Sequence, residues 1–197
     1  MDPQLRFADH ITTIVQKGHQ RANLIHRCFT SRDRSLLVKA FITYVRPILE
    51  YNSPVWSPTS KKEISRIEAV QRRFTKRISG MFGLPYYARL KSLNLESLEM
   101  RRIRTDLLTV YKLLFGLLNT NSEVFFTLRA HAHLRGHPYA LEKQRCTSSI
   151  RQSFFCNRIV NIWNNLPRDT TDFSSFQRFR RSLSRDYLAQ SCKVNIN

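Results

Sequence analysis

The sequence predicts a mainly α-helical protein, with a multi-helix bundle and a loop-rich connection to a C-terminal helical segment. Apolar residues recur at three- and four-residue spacing through most of the chain, which is the pattern of amphipathic helices. Glycine is scarce, with 5 among 197 residues, and this argues against a turn-rich all-β fold. The hydrophobic share of 42% is enough for a packed core and argues against wholesale disorder.

Two helices open the chain. Apolar positions from Phe7 to Phe29 follow helical spacing, so residues 6–29 are predicted to form an amphipathic helix. Ser31 or Asp33 can cap the helix that follows. This second helix is apolar on nearly all sides, which predicts a position in the middle of a domain. Its narrow polar stripe consists of Lys39, Thr43, Arg46 and Glu50.

The stretch YVRPILEYNSPVWSP, residues 44–58, is rich in proline and aromatic residues. Pro47 should kink the second helix because it lacks a backbone donor, and Pro54 and Pro58 should end it. We assign Pro47 and Trp56 to the structural core, with Trp56 filling the gap between neighbouring helices. Stacking of Trp56 on a ligand is the alternative.

A third helix is predicted to begin at Ser60. Ser60 and Glu63 have the spacing of a capping box, in which Glu63 would reach back to the Ser60 amide. Gly80 is a suitable stop. The apolar stripe consists of Ile64, Ile67, Val70, Phe74, Ile78 and Met81. The basic residues, broadly on the other side, are Lys61, Lys62, Arg66, Arg72, Arg73, Lys76 and Arg77.

The remaining pattern defines three regions. A short helix near residues 87–93 and a long one at 96–117 complete a helical domain at 1–118, and Arg101 and Arg102 of the long helix should point outward. Residues 119–150 lose periodicity and form a connector in which short strands are possible. Residues 151–197 form a C-terminal helical segment with a frayed tail. Its first helix, stopped by Pro167, places Trp163 in the structural core, and Ser174 and Ser175 can cap its last one.

The charge balance points to a polyanionic partner. The formal net charge is +19, and between Ser60 and Arg104 twelve Lys or Arg face four acids, a net of +8. Nucleic acid is favoured over an anionic membrane because the cations are mostly Arg, are interleaved with aromatic residues and are not confined to one tail. No run approaches the roughly 18 apolar residues of a membrane span.

Targeting and redox features indicate an intracellular protein. The N-terminal MDPQLRF has no apolar signal region, so we expect a nuclear or cytoplasmic protein and no secretion. Cys28, Cys146, Cys156 and Cys192 are widely spread, which favours free thiols over disulfides.

Catalytic and metal-binding patterns are weak. Asp9 stands alone, whereas two-metal nucleotidyl transfer needs carboxylates close together, so Asp9 is interpreted as a residue that stabilises a helix start. His131, His133 and His137 with Cys146 lack the second close pair of a structural zinc site. We therefore expect no catalytic residue, no metal site and no cofactor in this chain.

Four ordered motifs carry a resemblance over nearly the whole chain, about residues 5–188. They are VRPILEYNSPVWSP, IEAVQRRFTKRI, LNLESLEMRRIRTDLLTVYKLL and FFCNRIVNIWNNLP. This series resembles the region downstream of the polymerase core in LINE-type, non-LTR retrotransposon reverse transcriptases. The resemblance implies a thumb-like helical region of an RNA-directed DNA polymerase. The full polymerase uses Mg²⁺, and its catalytic carboxylates lie upstream of this region. The chain is therefore expected to be a fragment that lacks the palm domain.

The resemblance also implies a role for the basic residues. The helical body would lie against an RNA–DNA hybrid or duplex, the template–primer, when it is joined to the missing palm. Arg72, Arg73, Lys76 and Arg77 would contact phosphates and position the duplex without reading bases. The further candidates are Arg101, Arg102 and Arg104, some of which can pair with Glu96 or Glu99.

A second class of function stays open. A thumb-like region without its polymerase would expose an apolar face that packs elsewhere in the parent enzyme, and such faces recruit protein partners or drive self-association. The alternative is thus a non-catalytic protein-interaction or scaffold module derived from a retroelement.

The lone Asp9 generates a prediction about activity. We expect no primer extension by this chain with Mg²⁺ or Mn²⁺, because two catalytic ions need paired carboxylates. A template–primer extension assay with the parent and Asp9→Asn measures this. Metal-dependent extension that is lost in Asp9→Asn would contradict the interpretation.

Overall fold

The computed structural model describes residues 7–129 and 136–194 and is mainly helical, which confirms the predicted fold class. A 3₁₀ turn lies at Ser122–Val124, and one isolated antiparallel bridge joins Leu128 to Leu141. The α-helices of the described residues are α1 (Ala8–Cys28), α2 (Arg34–Tyr44), α3 (Arg46–Glu50), α4 (Ser53–Trp56), α5 (Lys61–Lys76), α6 (Tyr86–Ser92), α7 (Leu98–Leu114), α8 (Ser149–Ser153), α9 (Phe155–Arg158), α10 (Val160–Asn164), α11 (Phe176–Ser182) and α12 (Arg185–Gln190).

The chain divides into two compact units. Unit 1 contains the residues up to Arg101 together with those from Lys193 on, and unit 2 contains Arg102–Cys192. The division falls inside α7, a continuous helix, whereas the sequence-based boundary lies at residue 118, where the helical periodicity ends. The two units are defined by the compactness of the fold, whereas the regions 1–118, 119–150 and 151–197 are defined by helical periodicity. The organisation into these three regions stays a prediction.

The core of unit 1 is built by α1, α2, α3 and α5, which pack on one another. The apolar stripes predicted for these helices face this core. Its fully buried members include Ile11, Leu37, Phe41, Val45, Leu49, Ile67, Val70, Phe74 and Leu98. A smaller cluster of Tyr86, Leu90 and Leu95 packs against Val38 and Ile42 of α2.

Gly18 sets how closely α1 approaches α3. It is buried in the middle of α1, and a Cβ built on it would lie 2.9 Å from Leu49 Cδ2 and 3.3 Å from Val70 Cγ1. Glycine lowers helix propensity, so its presence within a helix calls for a packing reason. Here the missing side chain makes room for Leu49.

The proline-rich stretch bends as predicted, although its details differ. Helix α2 ends at Tyr44, and α3 resumes after Val45 with Pro47 in its first turn. Pro47 itself is exposed, so it shapes the core without being buried in it. Helix α3 ends before Pro54, and Pro54 lies in the first turn of α4 instead of ending a helix, because the first turn of a helix tolerates a missing N–H.

Trp56 occupies the core, as predicted. Its side chain is 5% exposed, and its indole Nε1 donates a hydrogen bond of 2.8 Å to the Tyr51 carbonyl. Asn52 makes the turn that allows this contact, with φ of +51°, a left-handed conformation that asparagine tolerates. Burial together with a satisfied indole favours packing over ligand stacking for Trp56.

Helix caps are partly as predicted. Asp33 caps α2, with its Oδ2 accepting from the Leu36 amide at 2.7 Å. Ser175 accepts from the Arg178 amide and caps α11. The capping box at α5 is wrong: Ser60 is the N-cap residue but its side chain makes no cap hydrogen bond. Glu63 instead pairs with Arg66 at 2.9 Å.

A buried carboxylate on α5 holds the start of α7. Glu68 is 1% exposed, and its oxygens accept from the amides of Leu98 at 3.0 Å and Glu99 at 3.3 Å. The Tyr86 hydroxyl donates to the same carboxylate at 2.5 Å. Gln71 Nε2 donates to the Glu96 carbonyl and to the Tyr86 oxygen. An anion at the first amides of a helix is stabilised by their exposed N–H groups and by the helix dipole.

A second buried carboxylate binds the last described segment of unit 1. Glu99 Oε1 accepts from the Lys193 amide at 2.7 Å, and Oε2 accepts from the Val194 amide at 3.2 Å. Lys193 Nζ donates to the Thr59 carbonyl at 3.0 Å. Unit 1 is therefore assembled from two separate parts of the chain.

Unit 2 is centred on Trp163, which is fully buried, as predicted. Its indole donates to the Tyr139 carbonyl at 2.7 Å, and its own carbonyl bonds to His137 Nε2 at 2.8 Å. Aromatic rings surround it, including those of Phe173 and Phe179. The helix predicted from Phe155 through Trp163 is divided into α9 and α10 at Ile159, which keeps helical dihedral angles of φ −84° and ψ −22°.

Trp56 gives a stability prediction. Trp56→Ala should lower the free energy of unfolding by ~3–5 kcal/mol, the range for deleting a large buried aromatic side chain. Denaturant unfolding measures this. Val55→Ala, at an exposed neighbouring position, is the matched control and should change stability by less than about 0.5 kcal/mol. Equal effects of the two variants would show that Trp56 is not a core residue.

Candidate nucleic-acid interface

The C-terminal end of α5 exposes three of the predicted phosphate-binding residues. Arg73, Lys76 and Arg77 are exposed, while Phe74 and Thr75 between them are buried. The alternation follows from helical geometry, because the apolar stripe of α5 is turned toward the core. Arg72 is half-buried, and its guanidinium carbon lies 5.0 Å from the centre of the Tyr86 ring.

Cations from the α1–α2 connection and from the start of α2 lie with those of α5. Arg77 Nη1 donates to Asn23 Oδ1 at 2.8 Å, and this contact fixes the end of α5 against α1. Arg32 Nη1 donates to the His26 carbonyl at 3.1 Å. Arg34 lies against Gly80, where an added Cβ would be 2.4 Å from its Nη2. We call these cations the basic cluster: Arg32, Arg34, Arg73, Lys76 and Arg77.

The lowered pKa values of two histidines of α1 reflect the positive potential of this region. Burial lowers the pKa of His26, and the neighbouring Arg77 and Arg32 lower it further, while a hydrogen bond to the Phe74 backbone opposes them. Burial and the charge of Arg73 likewise lower the pKa of His19. A proton is disfavoured at both sites partly because arginines lie close by.

The acids of the same stretch do not face the basic cluster. Of the four acids between residues 60 and 104, Glu68 and Glu99 are buried on backbone amides. Glu63 pairs with Arg66, and Glu96 lies 3.9 Å from Arg101. Two cations of the stretch, Arg89 and Arg102, are also buried, so its outer surface keeps a positive balance equal to the formal +8.

The cluster is left without carboxylate partners. Within residues 7–129 and 136–194, no salt bridge involves Arg32, Arg34, Arg73, Lys76 or Arg77. Five neighbouring cations without such pairing form a surface suited to phosphate groups.

The other predicted phosphate contacts lie elsewhere. Arg101 is committed to Glu50, with Nε and Nη2 at 2.5 and 2.9 Å from the two carboxylate oxygens. Arg102 is 2% exposed, so the prediction that it points outward is wrong. Arg104, in unit 2, donates to the Leu183 carbonyl at 2.9 Å.

Arg102 is buried in unit 2 close enough to a buried acid for the two charges to interact. Asp106 forms an ion pair of 3.0 Å with Arg158 and is itself buried. Burial raises the pKa of Asp106, while the charges of Arg158 and Arg102 act in the opposite direction. Arg102 thus belongs to an internal charged group, in which Asp106 is its i+4 neighbour on α7 and Arg158 comes from a distant part of the chain.

The residues described do not fit a two-metal centre. Asp9 is exposed in the first turn of α1, which agrees with its interpretation as a residue at a helix start. Across the two described ranges, no three His, Cys, Asp or Glu side chains form a group that could hold a metal ion. His131 and His133 lie outside the described residues. Each described helix is too short or too polar to cross a bilayer.

Sequence reasoning missed Arg32 and Arg34. Both flank Asp33, and the RDR run was interpreted only as a helix cap. A charge run next to a helix start is usually a solvated segment, so the run alone indicated no site. Only the packing of α1 and α2 on α5 brings these arginines to the end of α5.

The comparisons with known proteins are sparse. The chain is 29% identical over 119 residues to an uncharacterized protein of Caenorhabditis elegans, an overlap of 59% of this chain and 60% of that protein. The chain therefore spans less than two thirds of the relative's length. No family model matches the chain, and no solved structure is similar to it.

The buried His26 predicts a pH-dependent stability. Its pKa in the folded protein is below the ordinary value of 6.5, so the folded state disfavours the proton that the unfolded state accepts. The free energy of unfolding should fall as the pH drops below about 6.5 toward the folded pKa.

His26→Gln, which cannot titrate, should lose less stability than the parent between about pH 7.5 and 5. The measurement is denaturant unfolding at several pH values. Parallel curves for the two proteins would exclude the assigned role of His26.

Proposed function

We propose that the chain is a nucleic-acid-binding, thumb-like region of a LINE-type reverse transcriptase that positions a template–primer duplex. The chain would act together with a palm domain that carries the catalytic carboxylates and binds Mg²⁺. It would have no polymerase activity of its own. An intracellular location, nuclear or cytoplasmic, belongs to the same proposal.

The observation that carries the proposal is the basic cluster. Its five cations come from the α1–α2 connection, the start of α2 and the end of α5 with the turn after it, and the described structure pairs none of them with a carboxylate. The core contacts of Phe74 and Ile78 hold the helix that presents Arg73, Lys76 and Arg77. A fixed array of cations binds a phosphate backbone at a low cost in conformational entropy.

The proposed contacts determine what kind of binding results. Arginine and lysine at the surface of a helix reach phosphate oxygens, which carry no direct sequence information. Binding should therefore be strong at low salt, weak at high salt and similar for different sequences. These are the properties of a region that holds a duplex while a polymerase moves along it.

A protein-interaction or scaffold role is the second candidate. The observation that favours it is in unit 2, where Leu117, Leu118 and Val124 are exposed by 54%, 38% and 76%. Exposed apolar side chains that lie close together in the sequence can contact another protein. This role predicts concentration-dependent association with no dependence on nucleic acid.

Salt dependence tests the phosphate contacts. Changing Arg73, Lys76 and Arg77 together to Gln should weaken binding to duplex DNA and to an RNA–DNA hybrid alike. Each lost contact should reduce the slope of log affinity against log salt by ~0.9 on duplex DNA. The triple variant should fold, because Gln is a good helix former and the three sites are exposed.

A variant with the same change in net charge is the control. Lys143, Arg145 and Arg168 are exposed cations of unit 2, and their triple change to Gln should leave the salt slope close to that of the parent. Fluorescence anisotropy over a salt series measures the slopes, and circular dichroism checks folding. Equal slopes for the parent and the α5 variant would exclude the basic cluster as the phosphate site and favour the scaffold role.

A further inference from the structure

An exposed aromatic side chain lies beside the basic cluster. Phe82, in the turn between α5 and α6, is 77% exposed. Its neighbours in the turn are fixed, because Ile78 and Met81 are each 2% exposed and the Met81 amide bonds to the Ile78 carbonyl at 3.0 Å. The phenyl ring is therefore held outside by a well-anchored turn.

One cation lies over this ring, and a second packs on the same turn. Lys76 Nζ lies 4.8 Å from the centre of the Phe82 ring, in the geometry of a cation–π contact. Arg34 packs on Gly80, two residues before Phe82. Gly83, the next residue, has open space around it, since an added Cβ would find no atom within 4 Å. One face of the ring is covered by an ammonium group, and the space at the neighbouring Gly83 is open.

We propose that Phe82 stacks on an unpaired base of a single-stranded nucleic acid whose phosphates contact Lys76 and Arg34. This inference rests on the proposed function and adds the kind of strand that the site binds. Every base has a π face, so an aromatic side chain next to cations binds single strands with little sequence preference. A base-paired nucleotide cannot offer its face to Phe82, because its neighbours in the duplex cover it.

The positive charge beside Phe82 favours a single-stranded nucleic acid over a protein as the partner of this site. Within the described structure, Lys76 and Arg34 form no salt bridge with a carboxylate. A fitting partner is therefore polyanionic and also offers a flat apolar face to Phe82. A single-stranded nucleic acid has both properties in each nucleotide. Self-association through Phe82 would bring two basic clusters together, which like charges oppose.

The experiment uses the full chain and a short single-stranded oligonucleotide that contains 2-aminopurine. Phe82→Ala should weaken single-strand binding by about 5- to 150-fold, the range for loss of one stacked base, with the salt slope unchanged. Duplex affinity should change by less than about twofold. Phe82→Trp should restore binding and the quenching of 2-aminopurine fluorescence. Tyr51→Ala, which removes an aromatic side chain that is 82% exposed, is the matched control and should bind like the parent.

The two proposals fail in different ways. If the α5 triple variant lowers the salt slope while Phe82→Ala binds single strands like the parent, the stacking inference is overturned and the phosphate site stands. If neither variant changes binding, both are overturned. If Phe82→Ala instead abolishes dimers seen by sedimentation and leaves oligonucleotide binding intact, Phe82 is a protein contact and the inference is overturned.

Discussion

The structure of unit 1 depends on one buried anion. The Glu68 carboxylate satisfies two of the orphan amides at the start of α7 and accepts the Tyr86 hydroxyl, so one group ties α5, α6 and α7 together. Burial and the nearby carboxylate raise the pKa of Tyr86, which keeps its proton in place as the donor. A buried charge is tolerated only where several donors replace water, and this site supplies them.

The same interaction shapes the surface. Because Glu68 faces inward on α5, it cannot neutralise the arginines that point outward from the same helix. Glu99 is likewise used internally, and Glu63 and Glu96 each lie within ion-pairing distance of an arginine outside the cluster. The positive face at the end of α5 thus results as much from where the acids are buried as from the number of cations. The buried carboxylates of Glu68 and Glu99 thus stabilise the fold and, for the same reason, do not neutralise the cations at the surface.

Local patterns predicted much of this molecule. Helical periodicity indicated the main helices, and the chemistry of Asp33 and Ser175 indicated their caps. Burial of Trp56 and Trp163 followed from large aromatic side chains within apolar helical patterns. These features depend on residues within a turn or two of one another, which a sequence displays directly.

Long-range partners could not be predicted. Glu68 caps a helix that begins 30 residues later, and the local capping box at Ser60 gave no hint that another carboxylate would cap α7. Arg158 joins the buried charges of Arg102 and Asp106 only through tertiary packing. The basic cluster gains Arg32 and Arg34 only through tertiary packing. Each of these residues has the same local pattern as a solvated charge, so periodicity alone assigns it to the surface.

The contact between Glu99 and the segment at Lys193 has a consequence for the order in which the protein is made. A ribosome completes the α-helical body of unit 1 more than ninety residues before it adds the two amides that the Glu99 carboxylate accepts. Until then the Glu99 carboxylate must accept hydrogen bonds from water or from other donors. The first turn of α7 is not yet covered by the segment at Lys193. Unit 1 therefore reaches its final form only after all of unit 2 has been translated.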